Sequence, residues 1–176
     1  MFQTILKNVI DGQPCKNRTL LTIDEDDTHL LVEFCCEHTG GYDTPYGRYN
    51  DPIYRGEAVE FFICVKGEEL YFEFDLAPNN TLFNARILYY QKYGTFANTI
   101  KEKFVLHSVE EKGSEYVAKM KIPFDEIGGK EQKFLFNAYR IVSVGEKKEF
   151  QAFNPTGEIN FHRRDKFVEL KRKDEK

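Results

Sequence analysis

Apolar and polar side chains alternate along three consecutive runs between residues 58 and 90, AVEFFICVKGEELYFEFDLAPNNTLFNARILYY. A period of two residues is typical of β-strands with one face on a core. The runs are separated by Lys-Gly at residues 66–67 and Pro-Asn-Asn at residues 78–80, which favour turns. The middle run is predicted to face the core with Leu70, Phe72, Phe74 and Leu76. Its other face carries Tyr71, Glu73 and Asp75, followed on the next run by Asn84 and Arg86.

Short strands with turns between them are predicted along most of the chain. They cover residues 2–10, 19–23, 28–37, 104–109, 114–122, 134–144, 149–153 and 166–170. No segment sustains a helical period, and residues 123–128 form the only predicted helical turn. About ten strands predict an all-β fold, an antiparallel β-sandwich of the immunoglobulin-like or jelly-roll-like kind. Because no repeat or linker is visible, residues 1–176 are predicted to form a single domain.

The composition excludes some classes of function. The formal net charge is −4, whereas a general nucleic-acid-binding protein needs a basic surface. No apolar run approaches the ~20 residues that span a bilayer, so no membrane association is predicted. The first residues do not form a signal peptide. The chain as written is therefore predicted to be cytoplasmic, or secreted if it is a mature fragment.

Residues 38–56, HTGGYDTPYGRYNDPIYRG, contain four tyrosines and follow neither a strand nor a helix period. Loops of this length inside compact domains are uncommon and often functional. Tyrosine combines a rigid ring with a polar tip, which suits a binding surface. The rings could equally pack over the sandwich as a cover, and the sequence leaves both interpretations open.

The polar residues of the predicted strands favour binding over catalysis. The histidines belong to no nucleophile motif, phosphate-binding glycine loops are absent, and no catalytic residue is predicted. Glu73 and Asp75 beside Arg86 favour ion pairing over the raised pKa of a catalytic acid. Forked polar side chains next to aromatic rings suit the hydroxyl pairs of a sugar. The alternative is a buried ion network formed by Glu60, Glu73, Arg86 and Arg140. The pair most expected within it is Glu73 with Arg86.

The run YRGEAVEFFICVKGEELYFEFDLAPNNTLFNAR resembles the core motif of the family 9 carbohydrate-binding modules and their relatives in the DOMON-like superfamily. The segments IPFDEIG, FNAYRI and FNPTGEINFHRRDKFVEL resemble later motifs of that family, in the same order. Together they cover residues 51–170. The resemblance implies a non-catalytic β-sandwich that binds a mono- or oligosaccharide, commonly at a chain end, as an accessory to polysaccharide-degrading enzymes.

The family holds its sugar between two aromatic side chains surrounded by polar residues. The aromatic candidates that the resemblance implies here are Phe153 and a loop tyrosine, Tyr42, Tyr46 or Tyr49. The polar candidates are Glu60, Arg86, Arg140 and Asn154, and the strand face adds Tyr71. The chain contains no Trp, and Phe153 stands where the family often has one, so weaker stacking is expected. No metal ligand set is predicted from the residues, and calcium is implied by the resemblance alone.

Two other hypotheses stay open. An interaction or structural module that has lost the sugar site would fill the face of Tyr71, Glu73 and Arg86 with its own side chains. A small glycan-active hydrolase would need a carboxylate of raised pKa in a cleft, against which the neighbouring cations argue. The sequence specifies no oligomeric state and does not name the sugar.

Overall fold

Two antiparallel β-sheets pack face to face in the computed structural model, which describes residues 1–90 and 94–171. The strands in chain order are β1 Phe2–Ile5, β2 Lys7–Asn8, β3 Thr19–Glu25, β4 His29–Glu37, β5 Ala58–Val65, β6 Leu70–Leu76, β7 Leu82–Tyr90, β8 Gly94–Thr99, β9 Leu106–Lys112, β10 Glu115–Pro123, β11 Phe134–Val144, β12 Lys147–Ala152 and β13 Val168–Glu169. One sheet has the order β1-β3-β4-β10-β9, and the other has the order β2-β12-β11-β5-β6-β7-β8, with β13 paired to β11. The predicted all-β sandwich is confirmed.

Helical structure in the described residues is confined to three short 3₁₀ turns. They are Ile53–Arg55, Phe124–Ile127 and Arg164–Lys166. The second coincides with the helical turn predicted at residues 123–128. No helix in these residues is long and apolar enough to span a lipid bilayer.

The main core lies between the two sheets and is built from the alternate residues of their strands. β4 and β6 each send every second side chain into it, including Val32, Phe34, Phe72 and Phe74. The predicted core face of β6 is therefore confirmed. Aromatic rings stack within this layer, as Phe136 and Phe153 do with centroids 5.0 Å apart.

The eight-stranded sheet is also covered on its outer face. A second apolar cluster there combines strand residues such as Phe62, Tyr71 and Tyr139 with Ile53 and Phe167 from the connecting segments. Seven of the eight residues of β5 are consequently buried. Polar side chains on this outer face are thus removed from bulk water, which penalises their charged forms.

The register of β6 and β7 corrects the predicted pairing of Glu73 with Arg86. Glu73 lies opposite Ala85, and Arg86 lies opposite Phe72. Directly opposed residues of an antiparallel pair point to the same face. Arg86 therefore shares the face of Phe72, over whose ring its guanidinium carbon lies 5.9 Å from the centroid, and Glu73 points to the other face.

The buried ion pair of this fold joins Arg140 to Glu57 instead. Both side chains are fully buried, and Arg140 Nε donates to Glu57 Oε1 at 2.8 Å. Arg140 also donates to Thr19 Oγ1 at 3.0 Å and to the Glu37 carbonyl at 2.9 Å. Glu57 accepts from the Tyr116 hydroxyl at 2.8 Å and from the Ser143 amide at 2.7 Å. This network connects the two sheets. Arg140 and Ser143 belong to β11 and Glu57 directly precedes β5, whereas Thr19, Glu37 and Tyr116 belong to β3, β4 and β10 of the other sheet.

Replacing Arg140 with Met should lower the free energy of unfolding by about 3–5 kcal/mol, because it leaves the Glu57 carboxylate buried without its cation. Chemical denaturation would measure the loss. The matched control is Lys119→Ala, which removes an exposed partner of Glu33 and should cost less than about 1 kcal/mol. Equal losses for the two variants would contradict the role assigned to Arg140.

Candidate functional site

A half-open pocket of about 470 Å³ lies on the outer face of the eight-stranded sheet. Its aromatic lining consists of Tyr54, Phe83, Phe150 and Phe161, and its aliphatic lining of Ala97, Ile141 and Ile159. Its polar lining consists of Glu60, Glu73, Asn160 and His162. Apolar walls with a few convergent polar groups are typical of a small-molecule site.

A larger depression of about 670 Å³ lies on the other sheet and is a weaker candidate. Its lining includes exposed charged and aliphatic residues, such as Glu33, Leu106 and Lys121, but no Phe or Tyr. It therefore offers no large aromatic face to a ligand. The pocket of Glu60 and Glu73 is accordingly the candidate site.

The aromatic walls of the pocket are held by ring contacts. Tyr54, in the 3₁₀ turn Ile53–Arg55, packs edge-on against Phe83 of β7, with centroids 5.4 Å apart. Phe161 stacks on Tyr139 of β11 at 4.2 Å, and the Tyr139 hydroxyl donates to the Phe161 carbonyl at 2.9 Å. Phe150 of β12 meets Phe161 edge-on. The loop before β5 and the segment after β12 are thus fastened to the sheet at the pocket.

His162 connects the pocket to the buried layer beneath it. Its Nδ1 lies 2.6 Å from the Tyr71 hydroxyl, and its ring packs on Phe62 with centroids 5.3 Å apart. Burial lowers the pKa of His162 below its ordinary value. The imidazole is therefore neutral at pH 7, with one donor and one acceptor nitrogen, of which Nδ1 is already hydrogen-bonded to Tyr71.

Three carboxyl groups meet at the base of the pocket. Glu60 of β5 lies directly opposite Asp75 of β6, and Glu73 lies two residues before Asp75 on the same face. Oxygens of the three groups all lie within 4.8 Å of one another. Glu60 is 2% exposed and Asp75 is fully buried. Glu60 Oε1 and both Asp75 oxygens have no hydrogen-bond partner while all three groups are ionised.

This cluster holds protons at neutral pH. Burial is the main cause that raises the pKa of Glu73 to about 7, and it raises those of Glu60 and Asp75 well above their ordinary values. Repulsion from Glu73 adds to the rise at Glu60, and repulsion from both glutamates adds to it at Asp75. A proton on one group allows Glu73 and Asp75 to hydrogen-bond, which two carboxylates cannot do. The expectation that neighbouring cations would prevent a raised pKa is therefore wrong, because Arg86 faces the opposite side of the sheet.

Of the nine residues predicted to bind ligand, Glu60 is the one that lines this pocket. Tyr71 lies beneath it, fully buried, and its hydroxyl contacts His162, which lines the pocket. Arg140 is occupied by Glu57, and Arg86 is exposed on the opposite face. Asn154 fastens a loop, because its Nδ2 donates to the Lys166 carbonyl at 2.8 Å.

The predicted aromatic platforms pack elsewhere. Phe153 stacks on Phe136 inside the main core. Tyr42 meets Tyr116 edge-on and hydrogen-bonds Glu111, while the Tyr49 hydroxyl lies 2.9 Å from the Glu102 carbonyl. Tyr46 packs against the outer cluster without lining the pocket. For these four rings, the interpretation as a packed cover describes the structure better than the interpretation as a binding surface.

The pocket aromatics Tyr54 and Phe161 were missed as site residues. Tyr54 is the fourth tyrosine of the loop and is 39% exposed, because it sits on the turn that leads into β5. It precedes Glu60 by six residues and lies shortly before the first residue of β5, the strand that carries Glu60. Phe161 lies in the segment NFHRRDKFVEL, whose apolar residues show no period that would identify a pocket wall.

Two groups of acidic residues are candidates for calcium ligands, the turn at residues 24–27 and the carboxyl cluster of the pocket. The acidic turn at residues 24–27 uses its own partners, since Asp26 accepts from the Thr28 and His29 amides and pairs with Lys121 at 2.8 Å. The group Glu60, Glu73 and Asp75 has the oxygen donors that a hard cation prefers. Calcium at this cluster would have to displace the protons that the raised pKa values favour.

Comparisons with known proteins identify the fold. No protein-family model matches the sequence, and no curated protein sequence matches it at a significant level. A crystal structure of a candidate carbohydrate-binding protein from Bacteroides uniformis superposes with a TM-score of 0.79 and 17% identity, over 97% of this chain and 85% of that one. A family 9 carbohydrate-binding module from Caldicellulosiruptor kristjanssonii, in complex with glucose, superposes with a TM-score of 0.59 and 14% identity, over 96% of this chain and 83% of that one. The complex of a family 9 module from the same organism with cellotriose superposes with a TM-score of 0.58 and 14% identity, over 94% of this chain and 80% of that one.

These comparisons show that the chain has the β-sandwich fold of the family 9 carbohydrate-binding modules. The alignments extend over nearly the whole chain, and the resemblance stated on motifs between residues 51 and 170 is thus confirmed at the level of the fold. Fold by itself does not carry function, which depends on the site.

The carboxyl cluster should make the protein less stable as the pH rises. Between about pH 4.5 and about pH 7, folded Glu73 keeps a proton that the unfolded chain has lost, so stability falls with rising pH. This proton contributes on the order of 3 kcal/mol to the free energy of unfolding below about pH 4.5, and the contribution is lost by about pH 7. Denaturant unfolding at a series of pH values should show this slope in the wild type and a flatter one in Glu73→Gln. The control Glu33→Gln, at an exposed site, should keep the slope, and a Glu73→Gln slope equal to that of the wild type would contradict the assignment.

Proposed function

We propose that this domain binds a mono- or oligosaccharide, without catalysis, in the pocket of Glu60 and Glu73. The observation that carries the proposal is the combination of four aromatic side chains with four polar ones in one half-open cavity. Aromatic rings bind the apolar C–H faces of a sugar, and planar polar groups bind its hydroxyls. The solved complexes of the Caldicellulosiruptor module with glucose and cellotriose make these two sugars the first ligands to test.

The polar groups at the pocket base suit a ligand rich in hydroxyls. Glu60 and Glu73 project from neighbouring strands, so their oxygens can accept from adjacent hydroxyls of one sugar ring. Asn160 adds an amide and His162 a neutral imidazole. Because β5 and β6 are central strands, the acceptors are held in place before the ligand arrives.

An interaction or structural module without a sugar site fits the pocket less well. That hypothesis requires the face of Tyr71 and Glu73 to be filled by the protein's own side chains. Tyr71 is covered, but Glu60 and Glu73 still line a cavity of about 470 Å³. The cavity therefore favours ligand binding over a purely structural role.

A hydrolytic role is supported only in part. The cluster does provide a carboxyl group of raised pKa in a cleft. Acid–base catalysis by two carboxyls needs environments that push their pKa values apart, one protonated and one ionised. Burial raises the pKa of all three groups here. The proposal accordingly remains a binding domain, consistent with the binding modules that share its fold.

Removing the ring of Tyr54 should weaken binding of glucose or cellotriose by at least about tenfold, since it deletes an exposed aromatic wall of the pocket. Isothermal titration calorimetry of Tyr54→Ala would measure the loss. Tyr54→Phe is the matched control, because it keeps the ring and should retain most of the affinity. Leu106→Ala, which removes an exposed apolar side chain from the other sheet, should bind like the wild type.

The proposal would be rejected if the folded wild-type protein bound no sugar in a broad glycan screen at millimolar concentration. Equal affinities for the wild type and Tyr54→Ala would keep a sugar-binding function but place it outside this pocket.

A further inference from the structure

The polar lining of the pocket is dominated by acceptors. Glu60 and Glu73 both line the cavity, and Glu60 Oε1 is buried without a hydrogen-bond partner. Asn160 and His162 are the other polar residues of the lining. Among the described residues, no Lys or Arg lines the pocket. A neutral sugar would meet many acceptors and few donors, whereas a ligand with surplus donors would satisfy them.

The two arginines that follow His162 in the chain do not neutralise the carboxyl groups of the pocket. Arg163 follows His162 but is bound by Glu158 at 2.6 Å and by Asp165 at 2.8 Å. Arg164 places Nη2 3.8 Å from Cys64 Sγ. Neither side chain lines the cavity. The carboxyl groups at the pocket base therefore hold protons in the free protein, and a cationic ligand would balance the charge of a group that gives up its proton.

We propose that the preferred ligand is an amino sugar, whose ammonium group binds Glu60 and Glu73 while its ring lies among Tyr54, Phe83 and Phe161. This inference rests on the proposed function of the same pocket and narrows its ligand class. An ammonium group supplies three N–H donors and one positive charge, which together match unpaired carboxyl oxygens. Aromatic faces within about 6 Å add a further attraction for a cation.

Asp75 strengthens this preference without touching the ligand. It lies directly opposite Glu60, is fully buried and does not line the pocket. Burial raises its pKa, and a cation bound at Glu60 would favour the ionised form of Asp75, whose charge is screened little by solvent. The same field disfavours an acidic sugar, since a second negative charge would face carboxyl groups that are already difficult to ionise.

Calorimetry near neutral pH should compare glucosamine with glucose, N-acetylglucosamine and glucuronate on the whole protein. We expect glucosamine to bind at least about tenfold more tightly than glucose and N-acetylglucosamine, and glucuronate to bind most weakly. N-acetylglucosamine is the matched ligand control, because acetylation removes the charge at the same ring position. Glu60→Gln and Glu73→Gln should each bring the ratio of glucosamine to glucose affinity close to one, whereas Glu33→Gln should leave it unchanged.

The outcomes separate this inference from the function on which it rests. Equal affinities for glucose and glucosamine would overturn the inference and leave sugar binding in place. No binding of any of these sugars or of cellotriose, in a protein that melts cooperatively, would overturn both. Calcium chloride is a further arm: if it raised the melting temperature in the wild type but not in Glu73→Gln, and glucosamine showed no preference, the cation would be a metal and the inference would be wrong.

Discussion

The alternation of side chains along β5, β6 and β7 separates the acids of this region from its cations. Glu60, Glu73 and Asp75 point to the outer face of the eight-stranded sheet. Arg86 points to the inner side, where it lies over the ring of Phe72. Because register fixes these directions, no change of rotamer can bring Arg86 to Glu73. The acids are therefore left to be balanced by protons or by a ligand.

The outer apolar layer turns this arrangement into a site. If the sheet had one face in water, the carboxyl groups would be solvated and would ionise normally. Instead, Ile53 and Phe167 cover the sheet around them, and Tyr54 and Phe161 leave a cavity above them. Burial penalises the charged forms and raises the pKa values of the carboxyl groups. Covering segments and acidic strands together produce a pocket that neither would form alone.

The sequence predicted the strands well but only one of the residues that line the candidate pocket, and the reason is physical. Alternation is a local property, so the core face of β6 and the turn at residues 123–128 could be read from the chain. Which polar residues meet depends on the register between strands, which the sequence does not show. Arg86 was for this reason predicted on the same face as Glu73, whereas it lies on the opposite face. Tyr54 and Tyr49 belong to one loop of uniform composition. Tyr54 is exposed at the pocket, whereas the hydroxyl of Tyr49 is within hydrogen-bond distance of the Ile100 and Glu102 carbonyls. Only the path of the loop distinguishes them.

The hydrogen-bond partners of a buried polar side chain, rather than its residue type, distinguish the groups that stabilise this fold from those available to a ligand. Arg140 and Glu57 are as buried as Glu60, but each has its hydrogen bonds satisfied by the two sheets that it joins. Glu60 has an oxygen without a partner and faces a cavity. Since buried polar atoms are nearly always paired, an unpaired one beside open space is the feature that marks this pocket as the candidate site. Arg140 and Glu60 were each predicted both as a ligand residue and as a member of a buried ion network, and this difference supports the ion-pair role for Arg140 and the ligand role for Glu60.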